Sequence, residues 1–102
     1  MRSFLATPLI CLAFGLMLAP RLTHAADAVT VMADSCGGCH GTDGHSIGGM
    51  PAIAGKKADE LRKVLREFKT GAREATVMDR IAQAYSVEQL DAMADYFASR
   101  KQ

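Results

Sequence analysis

Cys36-Gly37-Gly38-Cys39-His40 is the stretch from which the rest of this chain is read. Two thiols separated by two residues, with an imidazole directly after the second, form the C-x-x-C-H pattern through which haem is attached covalently to protein. The spacing has a physical reason. Two intervening residues let one turn of chain span the two vinyl-bearing edges of a porphyrin, and the next side chain then falls beneath the iron. Other uses of a paired thiol need other surroundings. A redox-active pair works in a thioredoxin-like βαβ setting, and no alternating strand pattern occurs in this chain. A zinc site needs two more thiol or imidazole ligands at matched spacing. Beyond the motif, residues 26–102 offer His45 as their one further histidine and no further cysteine. A haem-free metal-binding or thiol-redox module is the remote alternative.

Upstream, the first quarter of the 102-residue chain has a different character. Arg2 precedes an almost wholly apolar run from Phe4 to Leu18, interrupted by Pro8 and Gly15, and Thr23-His24-Ala25-Ala26 then offers the small residues a signal peptidase requires. A membrane span needs about 20 apolar residues, more than this run supplies. Residues 1–25 are therefore expected to be a cleavable signal peptide, and residues 26–102 a single monohaem domain delivered to the periplasm. Cys11 leaves with the signal. Arg2 and Arg21 leave as well, so twelve Lys plus Arg fall to ten against eleven Asp plus Glu, and the formal charge turns from +1 to −1.

With charge so nearly balanced and no run of five like charges, neither nucleic acid nor a membrane surface is favoured as a partner. The balance is locally uneven: Lys56, Lys57, Arg62, Lys63, Arg66, Lys69, Arg73 and Arg80 stand among only five acidic residues. These read first as a solvated helix face and second as a docking patch. A domain this short buries only about 60% of its unfolded surface, and Trp is absent. A large apolar cofactor would supply the core that the side chains do not.

The periodicity is helical throughout. Residues 26–35 suggest one or two turns entering the motif, and the glycines from Gly37 to Gly49 suggest a loop running to Met50. Asp59 to Lys69 is the clearest helix: Leu61, Val64, Leu65 and Phe68 share one side, Arg62, Lys63, Arg66 and Glu67 fall opposite, and Gly71 closes the end. Residues 74–85 suggest a loop and then a short helix. Ser86 with Gln89 makes a capping box, after which Leu90, Met93, Ala94 and Phe97 form the buried stripe of a last helix. The expected fold is all-α, with three to four helices wrapped around one covalently bound haem c.

Over essentially the whole mature part, the chain resembles the class I cytochromes c, and within them the cytochrome c4, c553 and flavocytochrome c branch. The resemblance rests on Cys36 to Gly41, the Asp43-Gly44 turn, Pro51-x-Ile53-x-Gly55, Phe68-Lys69-x-Gly71, Tyr85-Ser86 and Met93-Ala94-x-Tyr96-Phe97. The segment Thr76-Val77-Met78-x-Arg80-Ile81-Ala82-x-x-Tyr85-Ser86 looks like the cytochrome subunits of sulfide-oxidising flavocytochromes c.

The resemblance implies Cys36 and Cys39 as the thioether residues and His40 as an axial iron ligand. The far nitrogen of His40 is expected to donate to a backbone carbonyl near Pro51, which fixes the imidazole. For the sixth position the chain offers Met32, Met50, Met78, Met93 and His45. Met32 and Met93 read as core, while Met50 and His45 follow His40 too closely to cross easily to the far side of a porphyrin. Met78 matches the family's ligand position. The implied role is one-electron transfer, not catalysis by the isolated chain. One setting is the electron-accepting subunit of a sulfide dehydrogenase, partnered by a flavoprotein. The other is a free, diffusible c4- or c553-like shuttle.

Overall fold

The computed structural model describes residues 24–101, with side chains from residue 28 onward. The signal expected over residues 1–25 lies outside them, but for its last two positions. The described chain is all-helical: α1 spans His24–His40, α2 Ala58–Thr70, α3 Met78–Gln83 and α4 Val87–Ala98, with a 3-10 turn at Thr42–Gly44 between the first two. No strand occurs among the described residues, as the period of the sequence requires.

Helix α1 corrects one expectation. It does not stop at Ser35 but runs through Gly37 and Gly38 to His40, and Gly41 N–H closes the final turn on Gly37 O at 3.0 Å. Each helical glycine costs about 1 kcal/mol relative to alanine, and that is offset by tertiary packing of the preceding turns. Ala33, 1% exposed, sits against Ala94 and Phe97 of α4 and Leu61 of α2. Small side chains at this crossing let α1 and α4 approach closely.

Helices α2 and α4 meet along the expected apolar stripes, with Leu90, Met93, Ala94 and Phe97 all buried. Gly71 ends α2 in the left-handed region, φ 79°. Ser86 Oγ accepts from Gln89 N–H at 3.1 Å while Gln89 Oε1 accepts from Ser86 N–H at 2.8 Å, so the capping box is complete. The charged face of α2 is less solvated than its periodicity suggests. Arg66 Nε donates to Asp91 Oδ1 at 3.1 Å, and Arg62 bridges Asp59 and Asp95. Arg73 pairs with Glu67 at 2.8 Å. Of the basic residues between 56 and 80, Lys56, Lys57 and Arg80 remain exposed outside such pairs.

Candidate haem site

The site is built on the last turn and a half of α1. In a helix, positions 36, 39 and 40 fall within one sector about 100° wide, so both thiols and the imidazole share a face. Cys36 is half-buried against the core and Cys39 is exposed, and the two are not joined in a disulfide. Burial pushes the Cys36 thiol above its ordinary pKa, and the nearby Cys39 adds to this while a hydrogen bond with Ser35 opposes it. Such a thiol lacks the stabilised thiolate that a redox-active pair depends on. Among the described residues, no three His, Cys, Asp or Glu side chains gather as a metal site of their own. Two reduced thiols on one face suit addition across two vinyl groups, each forming a C–S bond and giving its hydrogen to the neighbouring carbon, with no oxidant required.

His40 is held by a single strong contact. Its Nδ1 lies 2.7 Å from Pro51 O. A carbonyl can only accept, so Nδ1 carries the hydrogen and Nε2 keeps its lone pair, the tautomer a metal ligand needs. The Pro51 carbonyl is positioned by a closed loop. Gly44 O accepts from Ile53 N at 2.9 Å and from Ala54 N at 3.2 Å, and Gly55 N donates to Phe97 O at 2.9 Å. Gly44 is buried with φ +81°, and a Cβ there would lie 2.7 Å from Ile53 Cγ1 and 2.9 Å from Phe97 Cδ1. The neighbouring Asp43, itself at φ 53°, accepts at 3.1 Å from the hydroxyl of Tyr96 on α4. Burial, reinforced by that hydrogen bond, raises the Tyr96 hydroxyl pKa and keeps it a donor.

Beside the motif lies an open hollow of about 600 Å³, walled by Gly37, Gly38, Cys39, the 3-10 turn and the loop from His45 to Met50. Gly37 and Gly38 have nothing within 4 Å of where a Cβ would stand, and at about 100° per residue they face away from the sector that carries the two thiols and the imidazole. Large apolar side chains are left in water nearby and elsewhere: Ile47, Met50, Val77 and Ile81 are all at least 36% exposed. The hollow is lined by Cys39 but by neither Cys36 nor His40; what fits a haem is the shared face of the two thiols and the imidazole, with the ring fixed by Pro51. Cys36, Cys39, His40 and Pro51 are thus brought together. Met78 stands apart, half-buried as the first residue of α3, and is not in the wall of the hollow, whereas Met50 and His45 are. Met93, 2% exposed, is core as expected. Reading the sequence missed Tyr96, Asp43 and a bond between Tyr85 and Ser35, all contacts between residues far apart in the chain.

The cytochrome c family model matches residues 25–101, and the chain belongs to that family. Its cofactor is accordingly a covalent haem c, and it is an electron carrier rather than an enzyme in itself. Among its relatives, the cytochrome subunit of sulfide dehydrogenase from Chlorobaculum tepidum is 42% identical over 69 residues, covering 68% of this chain and 63% of that protein. Cytochrome c-553 from Nitratidesulfovibrio vulgaris is 39% identical over 105 residues, covering 96% and 98%. Cytochrome c4 from Pseudomonas aeruginosa is 38% identical over 84 residues, covering 78% of this chain but 42% of its own length. The chain thus spans less than two thirds of the sulfide dehydrogenase cytochrome and nearly all of the c-553. No helix among the described residues is long and apolar enough to cross a membrane.

Proposed function

We propose that this chain is exported to the periplasm by a signal peptide over residues 1–25 and there accepts electrons, one at a time, from the flavoprotein subunit of a sulfide dehydrogenase. The observation that carries this reading is the 42% identity to a sulfide dehydrogenase cytochrome. The segment from Thr76 to Ser86, which looks like that branch, adds to it. When bound, haem c supplies a reversible one-electron couple at iron. Cys36 and Cys39 hold the group to α1, and His40 presents Nε2 to the metal with its ring fixed by Pro51.

Met78 is the residue we assign to the sixth position. Its rival Met50 directly precedes Pro51, whose carbonyl receives the His40 Nδ1–H. An iron held by Nε2 would lie at the opposite edge of the ring from that contact, which would put Met50 on the His40 side. Met78, the first residue of α3, matches the ligand position that the family resemblance implies. A thioether ligand favours ferrous iron more than a second imidazole does and gives the couple a higher potential. With His40 and Met78 both holding the iron, no site would be left for substrate.

A diffusible shuttle is the second reading, favoured by the end-to-end match to cytochrome c-553. The test is reduction kinetics against ionic strength. In the subunit reading, a flavoprotein that co-purifies with the chain reduces it at a rate that changes only modestly with salt, because exposed apolar side chains such as Ile47 and Val77 would carry much of the contact. In the shuttle reading, several soluble partners exchange electrons with it at rates that fall steeply with salt, steered by exposed charges such as Lys56, Lys57 and Arg80.

A further inference from the structure

Helix α1, which holds the thiols, packs on α4, while α3, which begins with Met78, packs on α2. The attachment turn and the Met78 segment are therefore carried by different neighbours. A short chain of hydrogen bonds joins them. Ser35 Oγ lies 2.5 Å from Met32 O and 3.0 Å from Tyr85 Oη. The serine has a single proton and a carbonyl can only accept, so Ser35 donates to Met32 O and Tyr85 donates to Ser35. Ser35 directly precedes Cys36. Tyr85 is tied back to α3 by its own N–H, which donates to Ala82 O at 3.3 Å. Its carbonyl is held from α2 by Lys69 Nζ at 2.5 Å. Its ring packs on the cluster of Ala82, Leu90 and Met93, against which Cys36 also packs.

We infer that the Tyr85–Ser35 bond is a strap between the attachment turn and the Met78 segment, and that Tyr85 is a positioning residue that holds the two together. The ring alone would place the corner between α3 and α4; the hydroxyl adds a directional tie to the residue beside the first thioether. Opening the sixth position requires the Met78 segment to swing away, and the strap resists that motion. This inference rests on the reading of Met78 as the sixth ligand.

The test uses the haem-loaded ferric protein and the rate at which imidazole displaces the internal sixth ligand. Tyr85→Phe keeps the ring and removes the strap, and imidazole binding should become roughly threefold to tenfold faster, the factor that one hydrogen bond of ordinary net strength supplies. Ser35→Ala should do the same from the other end. The double variant should be no faster than either single one, since both remove one interaction. Ser35→Thr, which keeps a hydroxyl able to bond back to the helix carbonyl, should restore the original rate. The near-infrared sulfur-to-iron band should persist in all four. An unchanged rate in Tyr85→Phe, or additive acceleration in the double variant, overturns the strap. Met78→Ala separates the two readings: it should abolish the band, and a band that survives there overturns the ligand assignment, whatever the strap variants do.

Discussion

The two halves of this small domain are held together by different means. The frame of α2, α3 and α4 is a side-chain structure: interlocked stripes, a complete capping box and a row of ion pairs from Arg62 and Arg66 to Asp95 and Asp91. The segment from the motif to Gly55 is a backbone structure. Its order comes from Gly44 O accepting twice, from Gly55 N–H on Phe97 O, and from the His40 to Pro51 contact. Its apolar side chains at Ile47 and Met50 are left in water. The difference teaches where the cofactor is needed. The frame contains its own hydrophobic core, whereas the motif half has assembled the outline of one and depends on haem to fill it.

The largest effect should come from removing the covalent anchor. Cys39→Ser should leave little folded haem protein, and any haem it retains should be held through Cys36 alone, so that the pyridine haemochrome band shifts to that of a haem with one vinyl left, whereas the parent shows the band of a doubly saturated haem. A variant that folds as fully as the parent with one thioether missing would erase the contrast between the halves. Next is Gly44→Ala, which puts a Cβ into Ile53 and Phe97 at a left-handed backbone position. It should cost about 2 to 4 kcal/mol in denaturant unfolding. The smallest belongs to the frame: Ser86→Ala removes a helix cap and should cost about 1 kcal/mol. In thermal unfolding that is a drop of roughly 4 to 8 °C for a domain of this size. If Gly44→Ala proved milder than Ser86→Ala, the loop would not be the tightly specified element its contacts imply.

The frame was legible in the sequence because its signals are local. Ser86 and Gln89 are three residues apart, Gly71 sits where a helix must end, and the stripe of Leu90, Met93 and Phe97 needs only its period. The thiols, the imidazole and the carbonyl near Pro51 were legible as chemistry. The path of α1 through Gly37 and Gly38 was not, because glycine density signals turns and only the packing of Ala33 on α4 shows what sustains the helix. The Asp43 to Tyr96 and Ser35 to Tyr85 bonds were invisible for another reason. They join residues 53 and 50 positions apart, and nothing local marks such pairs.

The continuity of α1 through the motif makes it a screw thread. Each residue advances the chain by about 1.5 Å and turns it by about 100°, so the spacing of the motif sets rotation as well as distance. One residue added between the cysteines would turn Cys39 and His40 by that angle relative to Cys36, carrying the second thiol to the other side of the first and the imidazole from about 40° to about 140° away from it. The imidazole would then turn off the sector it shares with the first thiol and away from the carbonyl of Pro51. The loop, pinned at Gly44 and Gly55, could not follow it. Any change in the number of residues between the thiols is therefore a change of pitch that the rest of the molecule has no means to absorb.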